Sequence, residues 1–431
     1  MIMIKRGSYI FLAVLLVLAF SQAALADHLG LSAAGPVLPD TNPGPAWSAG
    51  YNGFPTWYRD TTGVVLEFTN PPDPLGNGPD PIIAGNLFSA QIGFGSEAFY
   101  WTGTADTTLP TGGRAILVLA LESAFTLGDA GDGDQMVFAR VRIRIDAPRN
   151  GTYVVYHPYG VNTFVVDTVA KRNINFTSDI GAVPLNFNAA LKGAIGPFLK
   201  QNPPPADTNY IGDGVTDGPV TGSQEIHPTL GPQNFFRIEG PRIGGVGINA
   251  FQTNNFVVTG KFFPGTAFKV TRATYSRTAA GATTLFGYAK TFLPFAGEAV
   301  SINAGGPPAA LTRQADQWFG SLAVGNVAPP ATLNFTGTGG LNPTTLTAPV
   351  KDVITISKAE YSGGLLKVIA TSSDLNTATP VVLTLKAGGT VPAQTITQGV
   401  ETAIPATISP ASVVVTSSGG GRESVIVNVI P

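Results

Sequence analysis

From Val137 to Asp146 the chain alternates without a break. Val137, Ala139, Val141, Ile143 and Ile145 fall on one side; Phe138, Arg140, Arg142, Arg144 and Asp146 fall on the other. A period of two over ten residues sends successive side chains to opposite faces, so this segment is a half-buried strand. Pro148-Arg-Asn-Gly151 then supplies a turn, and Thr152 to Tyr156 is expected to return as its antiparallel partner. Ala115 to Glu122 is an apolar run, and Gly63 to Thr69 is a further β-like run. The five prolines of Asn70 to Pro81 remove the donors a ladder needs and mark a loop. Gln201 to Gly222 reads as a second long loop. Only Asn186 to Leu199 has a helical pattern, cut short by Gly193 and Gly196. Gly 52 and Pro 35, with charged residues at only 12%, argue against helical bundles and against disorder. The fold class expected is all-β.

The second half repeats itself. Arg272-Ala-Thr-Tyr275-Ser276 matches Lys358-Ala-Glu-Tyr361-Ser362 at an offset of 86 residues. Pro330 to Gly340 matches Pro410 to Gly420 at an offset of 80. Two matches in the same order imply two copies of one module, at 264–350 and 351–431. That length, with short β runs between turn signals, is the size of an immunoglobulin-like sandwich. A larger N-terminal β-sandwich-like domain at 27–263 precedes them.

Lys5 and Arg6, the apolar run from Tyr9 to Phe20 and Ala24-Leu-Ala26 have the order of a secretory signal peptide, 1–26, cleaved before Asp27. The expected location is outside the cytoplasm: extracellular, cell-surface or periplasmic. With Cys 0, no disulfide and no lipidated cysteine can form. No later stretch reaches the roughly 18 apolar residues of a membrane-spanning helix. The formal net charge is −2 and falls further without Lys5 and Arg6, and no dense basic run is visible. Nucleic acid is therefore not an expected partner, because its affinity comes largely from Lys and Arg at phosphates.

The tandem modules resemble the β-sandwich repeats, Ig-like or fibronectin-like, of secreted and cell-surface bacterial proteins. The N-terminal part is similar to uncharacterised secreted bacterial proteins. That similarity rests on Gly53-Phe-Pro-Thr-Trp-Tyr-Arg59, Glu97-Ala-Phe-Tyr-Trp101, His157-Pro-Tyr-Gly160, Ile174-Asn-Phe-Thr177 and Asn234-Phe-Phe-Arg-Ile-Glu-Gly240. It implies a β-rich extracytoplasmic domain and carries no activity with it.

Five groups of residues bear on function. Asp129, Asp132 and Asp134 put three carboxylates in six residues, a source of the hard oxygen ligands calcium prefers; position twelve of the run is Arg140, unlike an EF-hand. No other cofactor is indicated. Arg140, Arg142 and Arg144 share one strand face at a spacing of about 6.6–6.8 Å and could line a polyanion or pair with neighbouring carboxylates. The aromatics Trp47, Tyr51, Phe54, Trp57 and Tyr58, with Phe99-Tyr-Trp101, could stack on sugars if exposed or build a core if buried. His28, His157 and His227 form no metal-binding spacing, and the latter two precede prolines in turns. No Gly-x-Ser-x-Gly elbow, phosphate loop or dinucleotide fingerprint occurs. Carboxylates that converge in space could still make a glycosidase, and Glu97, Glu122, Asp179, Glu225 and Glu239 are the pool.

The expected function is non-enzymatic adhesion or assembly at a cell surface or in a matrix, with a surface component such as a polysaccharide, or a second copy, as partner. The alternatives are a glycan-binding protein using Trp57, Tyr58 and Trp101, and a secreted glycosidase.

Overall fold

The computed structural model describes residues 30–37, 53–68, 80–291, 297–340, 342–388 and 391–430. The signal peptide, His28, Trp47, Tyr51 and most of the Asn70–Pro81 loop lie outside them. The described residues are almost entirely strands and turns.

Two sheets face each other in the N-terminal domain. The large sheet runs in the order Leu31–Ala34, Trp57–Asp60, Val65–Glu67, Asn255–Phe262, Glu97–Thr108, Arg114–Phe125, Gln135–Ile145, Ile174–Ile180. The smaller one runs Ala250–Thr253, Phe236–Glu239, Gly151–His157, Gly160–Val166. Val137, Ala139, Val141, Ile143 and Ile145 are all buried, so the alternation is indeed the imprint of one core face. They join Leu117, Leu119 and Leu121 from the neighbouring strand and Tyr153, Val155, Phe236 and Ile238 from the opposite sheet in one apolar cluster.

The hairpin expected at Pro148 does not form. Gly151–His157 pairs with Gly160–Val166 and Phe236–Glu239 in the smaller sheet, while Gln135–Ile145 pairs with Arg114–Phe125 and Ile174–Ile180. The turn carries the chain across the sandwich instead of back along it. Asn173 braces this crossing: its Oδ1 accepts from the Ala147 N–H at 2.7 Å and its Nδ2 donates to the Ala147 carbonyl at 2.9 Å.

The Gln201–Gly222 segment is not a plain loop either. It contains Tyr210–Asp213 and Gly218–Thr221, both paired with Asn255–Phe262. The expected helix is a short 3-10 turn, Phe187–Lys192. A six-residue α-helix, Leu87–Ile92, went unread; Asn86 caps it by accepting from the Ser89 N–H, and Gly93 ends it at φ 83°.

Each C-terminal module is a two-sheet sandwich around its own buried cluster, one including Phe268, Leu285, Ile302 and Phe335, the other Leu366, Val368, Leu385 and Val415. The internal repeat is structural. Phe268–Arg277 and Ile354–Ser362 each open a module, each bulges at the matched position, Val270/Arg272 and Ile356/Lys358, and each pairs in parallel with its module's last strand, Lys351–Asp352 and Asn428–Val429; Lys351–Asp352 thus joins the first module's sheet, two residues past the boundary expected at 350.

The two modules meet through buried polar groups. Asp352 and Asp374 are 3% and 1% exposed. Asp374 accepts from the Tyr275 hydroxyl at 3.0 Å, from Arg277 at 3.3 Å and from the Asn376 N–H at 3.0 Å. Asp352 accepts from Ser372 Oγ at 2.5 Å and from the Gly421 N–H at 2.7 Å. Burial, with both aspartates nearby, raises the Tyr275 hydroxyl above its ordinary range and keeps it a donor. Gly419 passes so close that a Cβ there would lie 2.5 Å from the Tyr275 oxygen.

Candidate functional site

The outer face of the large sheet carries the arginine stripe. In the register, Arg140 lies beside Ala120 and Asp179, Arg142 beside Val118 and Thr177, and Arg144 beside Ile116 and Asn175. The three arginines have different surroundings. Arg140 is held by two carboxylates, Glu122 at 2.8 Å and Asp179 at 2.7 Å, and lies 4.9 Å from the centre of the Phe138 ring. It is thereby removed as a free ligand-binding cation, contrary to the expectation that all three heads could face a polyanion. Arg142 and Arg144 have no carboxylate within ion-pair distance among the described residues. They donate to Thr177 Oγ1 and Asn175 Oδ1, both at 3.3 Å. Partial burial, then the positive charges of Arg140 and Arg144, pull the Arg142 guanidinium below its ordinary range.

At the end of the stripe a pocket of about 290 Å³ opens, lined by Thr108, Arg114, Arg144, Asp146, Lys171 and Arg172 among others. Arg114 is paired with Asp106 through two guanidinium nitrogens. Asp146 shapes the pocket: its two oxygens accept from the N–H groups of Arg114 at 3.0 Å and Arg172 at 2.6 Å. Burial pushes the Asp146 carboxyl up, but those N–H groups and the charges of Lys171 and Arg172 outweigh it and hold it below the usual range. Arg172 has a φ of 53°, the left-handed region uncommon for a residue with a side chain. Sequence reading found Arg144 and missed Lys171 and Arg172. The dibasic pair was the available signal, but only the pairing of Gln135–Ile145 with Ile174–Ile180 brings it to the stripe.

The remaining candidates resolve differently. Trp57, Tyr58 and Trp101 are 0–1% exposed and cannot be sugar platforms. Their hydrophobic area decides their place: Tyr58 packs edge-on to Tyr100 at 4.8 Å, and Trp101 packs against Tyr159 and Phe198. Asp129, Asp132 and Asp134 do not assemble a calcium site. Asp132 accepts from Gln135 and Asp134 from Thr126, and among the described residues no group of three acidic or histidine side chains could hold a metal. Millimolar calcium is expected to leave the melting temperature unchanged. A rise that is lost when all three are changed to Asn would instead establish a site. His157 and His227 each accept an N–H from their own turn, from Tyr159 and Thr229.

Of the carboxylate pool, Glu225 and Glu239 lie apart, and Glu239 is paired with Arg237. Glu97, Glu122 and Asp179 gather around Arg140. Burial raises the Glu122 carboxyl to about 8; Arg140 opposes that rise, and Glu97 and Asp179 add to it. A larger cavity, about 430 Å³, lies between the N-terminal domain and the first module, lined by Arg59, Val64, Phe262, Phe263, Glu298 and neighbours. Arg59 and Glu298 come from different domains, so no local motif announces it.

No protein-family model matches the chain, and no curated protein matches it. Solved structures similar to parts of it include a chimeric titin Z1Z2-Z1Z2 tandem functionalised with an exogenous fibronectin peptide, at 14% identity over 38% of this chain and 100% of that one, with a TM-score of 0.15. A structure concerned with host cell surface retention of a 1.5-MDa bacterial ice-binding adhesin covers 68% of this chain and 91% of its own, at 13% identity and a TM-score of 0.16. The ectodomain of mouse nectin-like molecule 4 covers 68% and 94%, at 9% identity and a TM-score of 0.16. Overlaps this low leave the all-β architecture resting on the sheets and registers themselves.

Proposed function

We propose that this is a non-enzymatic adhesion or assembly protein working outside the cytoplasm, at a cell surface or in a matrix. The N-terminal domain makes the recognition and the two modules hold it at a distance. The observation that carries this reading is the polar lock between the modules. Asp352, Asp374 and Tyr275, almost wholly buried, tie one module to the next with the partly buried Arg277 beside them, as a spacer of fixed geometry requires. The unusual chemistry of the chain, the arginine stripe and the pocket at its end, lies on the domain that the spacer would present.

Beads coated with the full chain are expected to retain cells or polysaccharide. The segment 264–431, in which each module encloses its own buried cluster, is expected to be folded and β-rich by circular dichroism yet to retain neither. Retention residing wholly in 264–431 would reverse the assignment. One observation favours a glycosidase as the second reading: Glu97 beside Glu122, whose carboxyl is raised to about 8. Glu122 is 1% exposed and bound by Arg140, which leaves no room for a sugar between two acids. Release of reducing sugar from the same polysaccharide would promote that reading.

A further inference from the structure

We propose that the pocket at the end of the large sheet, together with Arg142 beside it, binds the anionic groups of an acidic polysaccharide, one bearing sulfate or carboxylate. This deepens the adhesion reading by naming its ligand class, and it rests on that reading for its biological use.

Charge is the first argument. Arg142, Arg144, Lys171 and Arg172 set four positive groups against the single carboxylate of Asp146. Asp146 is occupied with two backbone N–H groups, and Arg114 is already balanced by Asp106. In a chain whose formal net charge is −2, this is a local inversion of sign. A cluster of like charges destabilises a fold unless something neutralises it. Arg142 is held below its ordinary range first by partial burial and only then by the charges of Arg140 and Arg144.

Rigidity is the second. The loop that carries Lys171 and Arg172 is tied down by Asp146 at the Arg172 N–H and by Asn173 at Ala147. Arg172 itself holds a left-handed backbone, φ 53°, within this tied segment. The backbone that presents Lys171 and Arg172 is fixed in advance, so only their exposed side chains have freedom to lose when they meet an anion, which favours binding.

Shape and lining select the class of anion. About 290 Å³ is near the low end of small-molecule clefts, of roughly 300 Å³, and fits one charged sugar unit. Arg142 lies one strand repeat from Arg144, about 6.6–6.8 Å away, and reaches a second charged group. Beyond it, Arg140 is already paired with Asp179 and offers no free cation to a third. The polar neighbours of the arginines are Thr108, Thr177 and Asn175, donors and acceptors suited to sugar hydroxyls. Among the described residues no exposed aromatic ring lies on the stripe's strands for a base to stack on, which argues against single-stranded nucleic acid. Ile180 is the one exposed large apolar side chain on the two strands Gln135–Ile145 and Ile174–Ile180, too little to enter a lipid surface.

The test uses the full chain against immobilised dextran sulfate, polygalacturonate and neutral dextran at low salt. Binding is expected to one or both acidic polymers and not to neutral dextran. Arg142→Gln, Arg144→Gln and Arg172→Gln are each expected to weaken it roughly tenfold, the scale of one charge-assisted hydrogen bond. Lys386→Gln, on an exposed strand position of the second module, is expected to change nothing. Asp179→Asn, which removes one repelling charge and leaves Arg140 less neutralised, is expected to tighten binding, a gain that misfolding cannot mimic.

Binding that survives the triple arginine variant overturns the site. So does equal or tighter binding to duplex DNA or to phosphatidylglycerol vesicles, because the patch would then be a generic cation surface. A chain that retains cells on beads yet ignores both acidic polymers overturns this proposal and leaves the adhesion reading standing. Acidic-polymer binding lost with the arginines, without cell retention, upholds the site and counts against the adhesion reading.

Discussion

Truncating Asp374 to Ala is expected to remove about 3 kcal/mol of stability and to separate the unfolding of the two C-terminal modules. Breaking one side of a buried ion pair costs roughly 3–5 kcal/mol, because the other charge stays buried without its partner. Here the carboxylate is 1% exposed, and its loss strands the Tyr275 hydroxyl and the Asn376 N–H as well. Arg277 keeps two contacts to Thr379 Oγ1 at 3.3 Å, which places the effect at the lower end of the range. Differential scanning calorimetry of the full chain reads both consequences. The wild-type modules should melt together, and the variant should show two transitions, the earlier one shifted down. Asp316→Ala is the comparison: its ion pair with Lys290 is largely exposed and should matter by less than about 1 kcal/mol. An Asp374→Ala profile that overlays the wild type would mean the modules are independent, and the spacer reading would lose its support.

Glu122 should make the protein less stable as pH rises. Its carboxyl lies at about 8 in the folded chain, against 4.5 for an ordinary glutamic acid, because burial disfavours the charged form more than Arg140 favours it. The folded state therefore holds a proton that the unfolded state has already released over that interval. Stability linked to such a group is complete below the unfolded value and declines as pH climbs through the folded one. The loss between about pH 5 and pH 9 should be roughly 3–5 kcal/mol at 1.36 kcal/mol per unit. Glu122→Gln keeps the shape and removes the titration. In urea unfolding the two proteins should match within about 1 kcal/mol near pH 5, with the variant the more stable at pH 9. Taking the difference between them cancels every other titrating group. A wild type that gains on the variant with rising pH would show that Arg140 prevails and that Glu122 is ionised throughout.

What could be read in the sequence followed from local geometry. The period of two at Val137–Ile145 is visible because a core face admits only apolar side chains, and the structure buries all five. The repeat was visible because the opening strand of each module keeps its tyrosine and its bulge, Tyr275 and Tyr361 falling at matched positions. Pairing was not visible. Alternation states which way a side chain points and not which strand lies beside it, so Thr152–Tyr156 was joined to the wrong sheet. The aromatics were ambiguous for a related reason. A tryptophan offers the same area to a core as to a ligand, and only the packing around Trp57 and Trp101 decides between them. The pocket needed Arg144, Asp146 and Lys171-Arg172 to be brought together by one antiparallel register. Glu97, Glu122 and Asp179 stood in the pool of carboxylates, and pairing of the stripe with neighbouring carboxylates was one of its two readings, but which arginine would gather which acids depends on the strand pairing, and only Arg140 does so.

The parallel closure of each module has a mechanical meaning. Lys351–Asp352 runs in the same direction as Phe268–Arg277, and Asn428–Val429 in the same direction as Ile354–Ser362. The chain therefore enters a module at one pole and leaves past the other. Tension applied along the chain acts parallel to these strands. The hydrogen bonds between them must then slide and fail together, where an antiparallel terminal pair would unzip bond by bond. Asp352 sits on the exit strand of the first module and is also bonded to Ser372 and Gly421 of the second. Force leaving one module thus passes into the interior of the next, through side chains shielded from water.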